Sequence, residues 1–334
     1  MTLAEIARES GLSASTLSRA LTGNGYLSPE MRSRALAALE RAGYNGRSAQ
    51  KALRSPMKDV ILVISGATGN TYEEVIQSLT KIADANRLRV LTAHTGYDND
   101  MEQRMLRFAE RSGCWGVVMT SVAELRPTIS FIREMKTPIV TVARYLSPMI
   151  TDTVTQDSYD MGAQAALKFL ACGHRRVAYL GGQMESSITQ DKLQGFRDTL
   201  ESKGVPLPAE AVAYGALDCE SGRAYGREFL KNPAPPTAVF ISNDIMAIGF
   251  LSVVQKAGLH VPQDVSVLCC DKTLASDIYT PRLSRFYIDW GETAGTLFHL
   301  LSKRREDPGR PRRLLTFDTK YEKGETLGRH VALP

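Results

Sequence analysis

Between residues 13 and 19 the chain reads Ser-Ala-Ser-Thr-Leu-Ser-Arg. Wound as a helix, this stretch turns Leu17 and Leu21 inward at a four-residue step and presents Ala14, Ser15, Ser18 and Arg19 outward. Small and hydroxyl-bearing residues let a helix sit deep in the DNA major groove, and one arginine can grip O6 and N7 of a guanine. Other chemistries find little support. The five cysteines (Cys114, Cys172, Cys219, Cys269, Cys270) form no CxxC and the five histidines are scattered singly, so neither a disulfide framework nor a metal site is predicted. There is no G-x-S-x-G, no HExxH and no nucleotide-binding glycine loop, and Gly181-Gly182 reads as a strand-end turn. Carboxylates such as Asp152 and Asp157 are commonplace in loops. The expectation is therefore a binding protein, with no cofactor and no enzymatic activity.

The elements that would position those side chains follow from local signals. Helices are predicted over 2–9, with Leu3, Ile6 and Ala7 at helical spacing, from the Ser13 cap to about Leu21, and from Ser28-Pro29 to about Ala42. Gly11 ends the first and Gly43 closes the third. Such a three-helix unit suits either DNA or a protein partner. Charge favours DNA: residues 1–58 hold nine Lys or Arg against four Asp or Glu, whereas the remainder holds 32 of each. A basic head on an electroneutral body is what a phosphate-binding module joined to a ligand or interaction domain would show.

The length of 334 residues suits two or three domains. A chain that is 43% hydrophobic and 23% charged, with no apolar run near the roughly 18 residues of a membrane span, is predicted not to enter a membrane. The opening MTLAEIARESGL, interrupted by Glu5, Arg8 and Glu9, lacks the apolar core of a secretory signal, so a reduced cytoplasm is expected. From Asp59 onward, apolar runs at Val60–Ile64, Val90–Thr92, Gly116–Met119, Ile139–Val142, Val177–Leu180, Ala238–Ile241 and Val265–Cys269 alternate with amphipathic segments such as Glu73–Ala85 and Met101–Arg111. Repeated βα units imply parallel sheets covered by helices, with ligands at the carboxyl ends of strands.

The run LAEIARESGLSASTLSRALTGNGYLSPEMRSRALAALERAGY, followed by KALRS, resembles the N-terminal region of the LacI/GalR family of bacterial transcription regulators. In the body, Gly173–Gly181, Asn243-Asp244 with Ala247 and Gly249, and Val261–Val267 resemble the family's GHRRIAYLGG, NDxxAxG and VPxDxSV segments. The resemblance implies an N-terminal all-α helix-turn-helix domain of three helices (1–46), a hinge helix and linker (47–58), and a two-lobed α/β periplasmic-binding-protein-like domain (59–334). The lobes would comprise about 59–157 with 287–317, and about 158–286 with 318–334.

Position by position, the resemblance places Ala14, Ser15 and Arg19 at base-reading sites and Ser13, Thr16, Thr22, Tyr26 and Ser28 at phosphate contacts. Arg47, Gln50 and Leu53 fall in a hinge that enters the minor groove, with Leu53 as the wedge. This hinge departs from the family pattern at Gly46-Arg47 and Gln50-Lys51. Tyr72 (in the loop after the first strand), Arg144, Lys192, Leu217, Asn243, Asp271 and Trp290 fall at effector positions. Lys192 replaces the family's forked arginine, Leu217 an aromatic, and Cys269-Cys270 the usual Gly-Phe. Trp290 is either a substitute stacking platform or a buried structural residue. The implied protein is a homodimeric repressor of double-stranded operator DNA, switched by a sugar or sugar derivative; no heptad tail predicts a tetramer.

Overall fold

The computed structural model describes residues 3–22, 27–42, 57–66, 72–96, 98–120, 126–143 and 149–330. The chain divides into two compact units, 1–58 with 111–113, and 59–110 with 114–334.

In the first unit, α1 (Leu3–Ser10), α2 (Ala14–Thr22) and α3 (Pro29–Arg41) form in sequence. Gly11 adopts a left-handed φ of 66°, the conformation that stops α1 at no steric cost. The hydroxyl of Ser13 accepts the Thr16 amide at 3.0 Å and that of Ser28 accepts the Met31 amide at 3.2 Å, so both serines cap the helices that follow them. Ile6, Leu17, Ala20, Ala35, Ala38 and Leu39 bury a small core among the three helices.

The second unit holds two six-stranded sheets. The first contains β1 (Val60–Ser65), β2 (Arg89–His94), β3 (Gly116–Met119), β4 (Ile139–Val142), β5 (Asp152–Gln156) and β11 (Leu314–Phe317). Its order is β11-β5-β4-β3-β1-β2, with every pairing parallel. The second contains β6 (Val177–Gly181), β7 (Val212–Tyr214), β8 (Ala238–Ile241), β9 (Ser266–Cys270), β10 (Ser284–Tyr287) and β12 (Lys320–Glu322), ordered β12-β10-β9-β8-β6-β7. Only β12 runs antiparallel to its neighbour. The chain passes between sheets after β5, between β10 and the next helix, and between β11 and β12.

Helices α4 (Tyr72–Ala85), α5 (Asn99–Ser112), α6 (Arg126–Glu134) and α12 (Trp290–Glu306) accompany the first sheet. With the second go α7 (Ser158–Ala171), α8 (Ser187–Ser202), α9 (Cys219–Lys231), α10 (Asp244–Lys256) and the short α11 (Leu274–Asp277). Every residue of β1, VILVIS, is buried, because helices cover both faces of a parallel sheet. The strand predicted over Val265–Cys269 is shifted by one to Ser266–Cys270, and Tyr72 lies in the first turn of α4 rather than in a loop.

A buried histidine ties the second sheet to the chain's last described segment. His174 places Nδ1 2.9 Å from the Thr237 hydroxyl and Nε2 3.1 Å from the Gly328 carbonyl. A carbonyl only accepts, so Nε2 carries the proton and donates to Gly328. Burial holds the His174 pKa below its ordinary value, with the neighbouring His330 ring adding to the effect. The folded state thus favours neutral imidazole, and the unfolded chain binds more protons below about pH 6.5. The stabilisation is complete above that pH and is lost as the pH falls through it. Melting temperature should therefore drop between pH 7.5 and 5.5, with a shallower drop in His174→Gln; identical profiles would remove His174 as the cause.

Candidate functional site

Two regions gather the side chains singled out above. On α2, Ala14, Ser15 and Arg19 are exposed while Leu17 and Ala20 are buried. The Ser13 hydroxyl lies 2.8 Å from that of Ser15 and 2.7 Å from that of Thr16. Three hydroxyls therefore cluster where α2 leaves amides unpaired, a geometry suited to phosphate oxygens. Ser28 is exposed at the start of α3. Thr22 ends α2, and its side chain, with Tyr26, Arg47, Gln50 and Leu53, lies outside the described residues, as does Arg144.

The second region follows from strand direction. Leu217 lies beyond the carboxyl end of β7, Ser242-Asn243 beyond β8 and Asp271 directly after β9. The Asn243 amide donates to the Leu217 carbonyl at 3.0 Å and its oxygen accepts the Met246 amide at 2.9 Å. Asn243 therefore caps α10 and fixes the Leu217 loop with the same side chain. Leu217 and Asp271 hold φ of 64° and 73°, and Ala143, after β4, holds 68°. Non-glycine residues in this region cost on the order of 1–3 kcal/mol each and gather at ligand clamps and switch segments.

Lys192, on α8, is buried, and its ammonium donates to the Ser242 carbonyl at 3.4 Å. Burial pushes the Cys270 thiol up to about 12 against the pull of this nearby cation. Lys192, Leu217, Asn243 and Asp271 thus collect at one end of the second sheet. Tyr72 and Trp290 meet on the first-sheet layer, edge to face with ring centroids 5.3 Å apart. Trp290 is only 2% exposed and belongs to the core of that layer, which favours the structural alternative over a stacking platform.

Charges link the two layers. Burial, reinforced by Asp289, raises the pKa of Glu74 on α4, while Lys272 of the second layer opposes the rise. Lys320 on β12 reaches Glu292 at 3.5 Å and Asp289 at 3.8 Å, both at the start of α12. Neither Glu74 nor Lys320 stood out in the sequence, because their partners lie in other elements. Among the described residues no cluster of three or more His, Cys, Asp or Glu could hold a metal ion, and no helix is long and apolar enough to cross a membrane.

Comparison with known proteins finds matches over both parts of the chain. Residues 2–46 match the model of bacterial regulatory proteins of the lacI family, and residues 166–327 match a periplasmic binding protein-like domain. The chain thus carries a lacI-family DNA-binding region followed by a periplasmic-binding-protein-like domain, and the proteins it is similar to are LacI/GalR-family transcription regulators. Catabolite control protein A of Priestia megaterium is 25% identical over 305 residues, covering 91% of this chain and 92% of that protein. The ribose operon repressor of Haemophilus influenzae is 24% identical, covering 95% and 96%. Among solved structures, a transcriptional regulator CelR–cellobiose complex superposes with a TM-score of 0.74 at 22% identity, covering 98% of this chain and 99% of that one. The relatives are DNA-binding regulators rather than enzymes.

Proposed function

We propose that this regulator is a repressor that binds a nearly palindromic operator as a homodimer and is switched by a small molecule held between its two lobes. The observation that carries the reading is the face of α2, where Ala14, Ser15 and Arg19 are exposed beside the Ser13 hydroxyl cluster. With two small residues at base-reading positions, sequence choice falls chiefly on Arg19 and on DNA shape. One such head reads a half-site, so a pair is needed. In this reading residues 1–46 bind DNA, 47–58 form the hinge carrying Arg47, Gln50 and the Leu53 wedge, and 59–334 hold the effector. The lobes are about 59–157 with 287–317, and 158–286 with 318–334.

The effector is a sugar or sugar derivative meeting Lys192, Leu217, Asn243 and Asp271 from the second sheet and Tyr72 and Arg144 from the first, with Trp290 packed behind Tyr72. The ribose operon repressor and the cellobiose complex among the similar proteins support this class. Ligand shifts the preferred lobe arrangement and hence the spacing of the hinges; a coupling of about 1–3 kcal/mol is ordinary for such a switch.

Selection of binding sites from random duplex DNA at near-physiological salt tests the reading. The expected result is an enriched near-palindrome with a flexible central step. Arg19→Ala should weaken binding to the selected site by about 1–3 kcal/mol and relax preference at one base pair per half-site. Unchanged specificity would remove Arg19 as the reader.

A further inference from the structure

Among the described residues three Lys or Arg side chains are buried: Lys192 at 3% exposure, Arg285 at 3% and Arg304 at 4%. Two of them have carboxylate partners. Arg304 grips Asp152 through Nε at 3.0 Å and Nη2 at 3.2 Å, and Arg285 pairs with Asp277 and with Glu322. Lys192 differs. Its ammonium donates to the Ser242 carbonyl at 3.4 Å and lies against the Cys270 thiol, and no carboxylate of the described residues lies within ion-pair distance. The nearby Asp244 does not form an ion pair with it, since Oδ2 of Asp244 accepts both the amide and the hydroxyl of Thr273 at 2.7 Å, and Asp271, which acts on the same Cys270 thiol, stands at this strand end without a direct ion pair to Lys192.

The helix that carries this ammonium is also held in place. A Cβ at Gly162 would lie 2.0 Å from the Lys192 carbonyl, and one at Gly195 would lie 2.0 Å from the Tyr159 carbonyl. Helix α8 therefore packs backbone to backbone on α7 and cannot slide to carry Lys192 toward solvent. Ser242 follows β8 and Cys270 ends β9, so the charge sits at the carboxyl end of two central parallel strands, the end at which such sheets take ligands.

A buried cation without a counter-ion costs free energy, and a neutral ligand beside it would leave that cost in place. A ligand bearing negative charge would relieve it with a charge-assisted hydrogen bond. We infer that the effector carries an anionic group, a carboxylate or a phosphate, which pairs with Lys192; this rests on the reading of the cleft as the effector site. Lys192 then sets specificity, admitting acidic sugars and rejecting their neutral parents.

The test uses the full chain in thermal melts, calorimetric titrations and operator-binding assays. The probes are aldonates and uronates, hexose phosphates, and the neutral parent sugars, applied to wild type, Lys192→Met and Lys192→Arg. For wild type, at least one acid should bind about tenfold or more tighter than its neutral parent and alter operator affinity; which acid group succeeds tells carboxylate from phosphate. Lys192→Met without ligand should melt no lower than wild type, because it removes an uncompensated charge, yet it should lose the acid preference about tenfold. Lys192→Arg should keep that preference.

Four results would overturn the inference. A neutral sugar that binds wild type and Lys192→Met alike and alters operator affinity would do so while leaving the effector reading intact. Acid binding indifferent to Lys192→Met, or a Lys192→Met protein melting well below wild type, would assign Lys192 a structural role. If no probe of either kind shifts melting or operator affinity, the inference and the effector reading fall together.

Discussion

Asp152→Ala should destabilise the protein by about 3–5 kcal/mol, the loss expected when one partner of a buried ion pair is removed. Asp152 is fully buried on β5. Besides the two bonds from Arg304, its carboxylate accepts the Arg313 amide at 2.9 Å. Arg313 immediately precedes β11, the strand that extends the first sheet beyond β5. One carboxylate therefore fixes the end of α12 and the entry of the final strand. Alanine would leave the guanidinium of Arg304 buried with only backbone carbonyls, those of Pro308, Arg310 and Pro311. Carbonyls satisfy its donors but not its charge. The double variant Asp152→Ala/Arg304→Met should recover a large part of the loss, because an apolar side chain carries no desolvation penalty. Equilibrium urea denaturation of the three proteins measures this; a loss below about 1 kcal/mol in the single variant would place the pair among those that contribute little net stability.

The same strand shows why part of the fold escaped the sequence. The runs of β1, β3, β4, β6 and β8 are apolar and lie wholly within buried sheets, so composition alone marked them. β5 reads Asp-Thr-Val-Thr-Gln and is equally buried. Its polarity is internalised: Thr141 shares hydroxyl contacts with Thr151 at 3.0 Å and Thr153 at 2.8 Å, and Asp152 is neutralised by an arginine 152 residues away. No local pattern announces a strand whose polar groups are satisfied by distant elements. β7, β11 and β12 are half-exposed edge or near-edge strands of three or four residues, too short for periodicity to register.

The candidate sites divide along the same line. The outward face of α2 follows from a four-residue step within one helix, and so was legible. The surroundings of Lys192 depend on Ser242 and Cys270, brought beside it only by the order of strands in the second sheet. The family resemblance pointed to the position, but the absence of a carboxylate partner among the described residues is a property of the assembled sheet.

Gly162→Ala should cost about 3 kcal/mol or more, against the gain of up to about 1 kcal/mol that replacing a mid-helix glycine ordinarily brings. The added methyl would meet the Lys192 carbonyl at 2.0 Å and the Phe196 amide nitrogen at 2.9 Å. Both are backbone atoms, so relief requires α7 and α8 to part. Gly295→Ala, on α12 with nothing within 4 Å of the new methyl, isolates the propensity gain and should be neutral or stabilising. Opposite signs in the two denaturation curves would establish packing as the cause; a Gly162→Ala protein within about 0.5 kcal/mol of wild type would refute it. The consequence reaches the cleft because the device is repeated. Methyls at Gly222 and Gly249 would lie 2.0 Å from the Met246 carbonyl and 2.1 Å from the Cys219 carbonyl, closing α9 on α10 as α7 closes on α8. One glycine pair thus sets the helix that carries Lys192, and the other sets the helix that Asn243 caps. Parting α7 from α8 should shift the ammonium from Ser242 and weaken effector binding, while the three-helix head, a separate unit with its own core, keeps its DNA-reading face.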